Sequence, residues 1–117
     1  MKQIIIGNTP SKSNNYRIIK KNGHGSLAKS SQIKEYEKSF DLQCNYYRNK
    51  NIEGLFEIKL NVFFPSNKSD LDNCLKCILD CLQTCKAIKN DNLCIKITAE
   101  KFIDKINPRI EFELIEI

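Results

Sequence analysis

Asp70 and Asp72, one residue apart in "SDLDN", Lys76 and Asp80 on the segment that follows, and Asp91 in "KNDNLC" are the residues whose types and spacing could do chemistry. Side chains at i and i+2 of an extended segment project to the same side, and two carboxylates so placed make a hard-oxygen site suited to Mg2+ or Mn2+. A lysine one turn further on supplies positive charge for an anionic oxygen that the ion also contacts. Asp91 adds a third acid with loop access. The same residues have plainer readings. Asp70 or Asp72 could be a helix N-cap, Asp72, Lys76 and Asp80 a solvated row of i,i+4 pairs, and Asp91 an ordinary turn residue. One cap needs one carboxylate, which leaves the second Asp of the pair without a structural task. Residue types and spacing lead to a candidate metal and phosphate site and no further.

The segment after the two acids, "CLKCILDCLQTC", must position them. At about 100° per residue, with Asp72 at zero, Lys76 falls near 40° and Asp80 near 80°, so the three share a polar stripe of a helix. Leu71, Leu75, Ile78 and Leu82 gather at roughly 240° to 300° as an apolar face for the core, and Cys74, Cys77, Cys81 and Cys85 lie at roughly 140° to 220° beside it. A zinc site would draw on Cys74 and Cys77 with Cys44, Cys94 or His24 from elsewhere. Free thiols behave as small hydrophobes, so the cysteines read instead as an extension of the core or of a subunit interface, and no zinc is expected. Their crowding on one helix also argues against a secreted disulfide framework.

The remaining elements follow from periodicity. "QIIIG" reads as a strand that stops before Pro10, and "YRIIK" and "SLAKS" flank Asn22-Gly23 as a hairpin. From Ser30 or Ser31, "QIKEYEKSFDLQCNYYRNK" sets Ile33, Tyr36, Phe40, Cys44 and Tyr47 on one face of a helix. "LFEIKLNVFF" alternates as a half-buried strand closed by Pro65. "LCIKITAEKF" sets Leu93, Ile95, Ile97 and Ala99 on one face, and "RIEFELIEI" does so with Ile110, Phe112 and Leu114. These last two strands are expected to pair antiparallel through "IDKINP". The order predicts one α+β domain over residues 1–117, a small mixed sheet with two main helices packed on one face.

Charge narrows the partner. The chain carries a formal charge of +5, and residues 1–34 hold Lys2, Lys12, Arg17, Lys20, Lys21, Lys29 and Lys34 with no acid among them, which favours a polyanion. No apolar stretch approaches the roughly 20 residues that span a bilayer, and "MKQIIIGNTP" lacks the features of a signal peptide, so a cytoplasmic protein with no membrane partner is expected.

Read as one pattern, "DLDNCLKCILDCL" has the form D-x-D-N-x-x-K-x-x-x-D-x-L, with an acid-bearing turn beyond it. This resembles the RusA family of Holliday junction resolvases, small endodeoxyribonucleases common in bacterial prophages and phages. "PSKSNNYR" from Pro10 is similar to the family's Pro-Ser-Asn-rich N-terminal segment, and Lys101 in "TAEKF" stands where the family tends to carry a lysine. The resemblance runs over nearly the whole chain. It implies a homodimeric, Mg2+-dependent nuclease, with Mn2+ as a substitute, that places paired symmetrical nicks in four-way junction DNA during recombination and repair, in a bacterial or phage setting.

Carried over position by position, the resemblance makes Asp70, Asp72 and Asp91 the metal-binding acids and Lys76 the essential lysine, with Asn73 and Asp80 in support. Two departures stand out: Asn90 precedes Asp91 where the family often has two acids, and "PSNKS" offers only Lys68 where the family often has arginines. Candidate DNA contacts are Lys12, Asn14, Arg17, Lys20, Lys21, Lys29, Lys68, Lys89 and Lys101, with Tyr16 able to stack on an exposed base. A homodimer would match the approximate two-fold symmetry of a four-way junction, one site to each subunit. The rival readings are a nuclease for flaps or forks, a non-catalytic nucleic-acid-binding domain, and a zinc-stabilised interaction module.

Overall fold

Alternation along the chain builds the sheet. In the computed structural model, which describes residues 1–11, 16–21, 24–29 and 31–117 (16–21 and 24–29 by their backbone alone), β4 (Phe56–Phe64) buries Phe56, Ile58, Leu60, Val62 and Phe64 on one side. β6 (Arg109–Glu116) buries Ile110, Phe112 and Leu114 and pairs antiparallel with β4, Leu60 opposite Phe112. On its far side β6 pairs antiparallel with β1 (Gln3–Ile6), Ile5 opposite Ile110. The apolar rows of the three strands thus form one continuous inner face.

β5 (Cys94–Ile103) lies on the other side of β4 and runs parallel to it, giving the order β1-β6-β4-β5 in a four-stranded mixed sheet. This corrects the expected antiparallel pairing of the last two strands, because β4 stands between them. The physical reason is the helix α2 (Leu71–Thr84) that joins β4 to β5. A strand, a crossover helix and a second strand form a parallel unit. Residues 104–108 of the following connection, at about 3.3 Å each, are long enough to cover the roughly 9.6 Å to the position beyond β4.

As an edge strand, β5 leaves its apolar residues half in solvent. Ile95, Ile97 and Ile103 are 54 %, 41 % and 48 % exposed, where burial of Leu93, Ile95, Ile97 and Ala99 was expected; only Leu93 and Ala99 of that set pack on the core. Ile95 falls at the register shift beside Phe56 and Glu57, which takes it out of the alternation.

β2 (Tyr16–Lys21) and β3 (His24–Lys29) form the expected antiparallel hairpin, with Lys21 opposite His24 and the turn residues Asn22 and Gly23 outside the described residues. The helix α1 (Ser31–Gln43) buries Ile33, Tyr36 and Phe40. It ends sooner than its apolar row suggests. Cys44 and Tyr47 are buried but follow the helix, in a segment where Asn49 and Asn51 take left-handed backbone at φ 65° and 48°, which Asn tolerates and a right-handed helix cannot hold. Phe112 lies at the centre of the core, its ring stacked on Phe40 at 5.9 Å and on Tyr47 at 5.6 Å.

α2 enters the same core with its buried surface shifted from its leucines toward its cysteines. Cys74, Cys77, Ile78, Cys81, Leu82 and Cys85 are buried, whereas Leu71, Leu75 and Leu79 are only partly covered. Ile78 and Leu82 of the expected apolar face are buried and the thiols extend the core as expected, whereas Leu71 and Leu75 of that face lie at its flank. A thiol is small and apolar enough to let a helix approach closely, which branched leucines at the same positions would prevent.

The β1 edge of the sheet is covered by amides. Gln43 accepts the Ile6 N–H on Oε1 at 2.7 Å and donates from Nε2 to the Ile6 carbonyl at 2.9 Å, and Gln3 Nε2 donates to the Ile4 carbonyl at 3.3 Å. Gly7 then ends the strand with φ of 130°, a backbone that other residues rarely adopt, and its N–H reaches the Pro108 carbonyl at 2.9 Å. Among the described residues no helix is long and apolar enough to cross a membrane.

Candidate active site

The mouth of α2 carries the D-x-D pair. By position Asp70 is the N-cap, with extended backbone at φ −92° and ψ 136°, yet its side chain makes no capping hydrogen bond. Its Oδ2 accepts instead from Nδ2 of Asn73, at 3.5 Å. Asp72 is exposed in the first turn. Both carboxylates sit at the positive end of the helix dipole, where negative charge is favoured, and neither is drawn into the core.

Asp91 comes from the opposite direction. It opens a short 3-10 turn, Asp91–Leu93, in which Asn90 accepts the Asn92 N–H on Oδ1 at 3.0 Å. Gln83 Oε1 accepts the Asp91 N–H at 2.9 Å and so pins the turn to α2. Gln83 is a positioning residue that the motif does not contain. Its signal was present all the same: seven residues after Lys76, it continues the polar stripe of the helix.

Lys76 joins the two parts. Its ammonium donates to Asp91 Oδ2 and lies 3.1 Å from Asp80 Oδ1. The hydrogen bond to Asp91, with the one to Asp80 adding to it, raises the lysine above its ordinary range. Asp80 thus lies within ion-pair distance of Lys76, and the ammonium remains charged at neutral pH.

Lys101 reaches the same helix mouth from β5. Its Nζ donates to the Ser69 carbonyl, one residue before Asp70, and lies 5.8 Å from the centroid of the Phe64 ring. Of the other basic candidates, Lys68 and Lys89 are exposed in loops. Lys12 and Asn14 lie outside the described residues, as do the side chains of Tyr16, Arg17, Lys20, Lys21 and Lys29 on the hairpin. Lys2, also in the basic third, is paired with Glu111 at 2.6 Å.

The structure gathers Lys76, Asp80 and Asp91 into one cluster and Asp70 with Asn73 into another. It does not gather Asp70, Asp72 and Asp91 into one cage: among the described residues no three His, Cys, Asp or Glu side chains are placed to hold a metal ion. With a rise of 1.5 Å per residue, Asp72 stands about 12 Å along the helix axis from Asp80. Such an arrangement fits the donor chemistry of a small hard cation, since Mg2+ is commonly bound through one or two carboxylates, substrate phosphate oxygens and water, without an all-protein cage. All six cysteines are free; Cys44, Cys74, Cys77, Cys81 and Cys85 are buried and Cys94 partly so.

Fold and site together define a class: a small α+β domain whose acids and ammonium groups meet along one face of a crossover helix. The family model described as Endodeoxyribonuclease RusA matches residues 8–115 of the 117. The chain belongs to that family, one of Holliday-junction-resolving endodeoxyribonucleases. No curated protein matches it.

Proposed function

We propose that the protein is a Mg2+-dependent endodeoxyribonuclease that resolves four-way DNA junctions by paired symmetrical nicks, acting as a homodimer in the cytoplasm of a bacterium or of a phage-infected cell. The observation that carries this reading is Asp70, an N-cap aspartate whose side chain does not cap. In a chain of this family, a carboxylate tied to the Asn73 side chain and not to the helix backbone suits a partner outside the helix. Asp70, Asp72 and Asp91 would hold the ion, with Mn2+ an acceptable substitute. When bound, Mg2+ supplies Lewis acidity toward the scissile phosphate and activates water for attack.

The protein's own groups do the rest. Lys76 is a fixed ammonium that binds a non-bridging phosphate oxygen and meets the negative charge that builds there in the transition state. Asp80 orients Lys76 from four residues away, and Asn73 orients Asp70. Asn90 and Gln83 hold the turn that presents Asp91. Backbone contacts to DNA come from Lys68, Lys89 and the basic hairpin region with Lys12, Asn14, Arg17, Lys20, Lys21 and Lys29, and Tyr16 stacks on an unpaired base at the junction centre.

Dimerisation gives one site per cut strand, because a two-fold protein matches the approximate two-fold symmetry of the junction. The edge of β5, which pairs with no further strand among the described residues and has Ile95, Ile97 and Ile103 exposed, supports a second copy as its occupant. The deciding experiment incubates the protein with labelled four-way junctions, forks and linear duplex, with and without Mg2+. Paired symmetrical nicks in the junction alone are the expected result. Cutting of forks in preference to junctions would move the substrate to other branched DNA, and no cutting under any divalent ion would end the nuclease reading.

A further inference from the structure

Lys101 is on the inner face of the sheet. It pairs across the strands with Val62, whose side chain is fully buried, and cross-strand partners share a face. Its stem is therefore held against the core side of β5, with the ammonium over the Phe64 ring and donating to the Ser69 carbonyl. Ser69 is the residue through which the loop after β4 enters α2. A fixed carbonyl at Ser69 fixes the peptide plane between Ser69 and Asp70, and with it the direction in which Asp70 leaves the backbone.

Helix preferences do not account for the contact. A cation at a helix N-terminus faces the positive end of the dipole, the disfavoured arrangement, and only the acids Asp70 and Asp72 at that end offset it. Asp70 also lacks the capping bond that would normally fix such a residue. Beside the side-chain bond from Asn73, a restraint on the backbone at this entry is supplied from β5. We propose that Lys101 is a positioning residue of the D-x-D loop: through the Ser69 carbonyl it sets the backbone from which the Asp70 carboxylate projects, and its ammonium is committed to that carbonyl and not to a DNA phosphate.

The consequence for catalysis rests on the endonuclease reading, but the consequence for the loop does not. Hydrogen exchange over residues 65–72 is compared in the wild type, Lys101→Met and Lys101→Arg. Met keeps the apolar stem and removes the donor; Arg restores a donor. Exchange in Lys101→Met is expected to quicken about tenfold over that segment alone, with thermal unfolding within a few degrees of wild type, and Lys101→Arg is expected to recover most of the protection. In junction cleavage, kcat of Lys101→Met is expected to fall about ten- to a hundredfold, with junction affinity without Mg2+ unchanged within about twofold.

Unchanged exchange in Lys101→Met overturns the proposal, whatever the substrate proves to be. Loss of junction affinity in step with cleavage also overturns it, by making Lys101 a phosphate contact. If the wild type cuts nothing, the nuclease reading falls and the exchange comparison alone decides the role of Lys101.

Discussion

The Lys76 ammonium on α2 is hydrogen-bonded to the carboxylate of Asp91, fifteen residues further along the chain. Its raised pKa keeps the ammonium protonated: the stability it contributes is fully present below the ordinary value of 10.5 and is lost only as the pH climbs through the raised value. At neutral pH Lys76 donates and cannot serve as a base. Lys76→Met is expected to lower the single-turnover cleavage rate on the order of a hundred- to a thousandfold, the usual effect of removing one electrostatic donor to a transition state. Thermal unfolding should move little, because half-exposed ion pairs contribute only about 0.2 to 1 kcal/mol.

Asp70→Asn separates the two tasks open to an N-cap aspartate. Asn caps a helix as well as Asp does, so a purely structural Asp70 would tolerate the change with activity intact. Cleavage is expected instead to fall on the order of a hundredfold or more in both Asp70→Asn and Asp72→Asn, with junction affinity in Ca2+ retained. Gel shift and cleavage on the same samples make the comparison.

Acid should weaken the outer face of the sheet. Glu111 accepts from Lys2 at 2.6 Å and from Arg109 Nε at 2.8 Å, and these bonds, that with Lys2 first, hold its carboxyl below the ordinary value of 4.5. A depressed carboxyl contributes stability that is present above its unfolded value and is lost as the pH falls through the folded one. Thermal midpoints should therefore be level from pH 7 to about 5 and decline below that, and Glu111→Gln should flatten part of the decline.

The buried thiols give a further check. Burial pushes the Cys74 thiol up to about 12, and Cys44 and Cys81 are raised too, first by hydrogen bonds to Cys85 and Cys77 respectively and then by burial. Against an aromatic disulfide reagent, the folded protein is expected to expose Cys94 alone on a fast time scale. All six should react once the chain is unfolded in guanidinium. Rapid reaction of several thiols in the folded state would contradict the packing of α2.

Local pattern carried much of this structure. The alternation in "LFEIKLNVFF" identified β4 and its inner face, and the polar stripe of Asp72, Lys76 and Asp80 gave the surface of α2 that carries the candidate site. Partnership between strands was not legible, because period-two alternation says which face a residue takes and nothing of which strand lies beside it; hence β5 and β6 were expected as neighbours, and Ile95 and Ile97 as core. On α2, the burial of Ile78, Leu82 and the thiols was legible, whereas the partial exposure of Leu71 and Leu75 was not, because hydrophobicity alone ranks leucine above cysteine. Lys101 was legible as a basic residue, but its tie to Ser69 joins strand to loop across 32 positions and has no local signature.

The two borders of the sheet differ in what they can receive. Along β1, the side-chain amides of Gln43 and Gln3 occupy the outward hydrogen-bonding groups of Ile6 and the Ile4 carbonyl, whereas β5 keeps its outward groups unmatched by any strand among the described residues. A sheet open on both sides can be lengthened without limit, which is the route to fibres. With one border so occupied, the growth of a sheet by strand addition would stop after a single joining of β5 to β5 in the proposed dimer, and Gln43 would be its chain terminator.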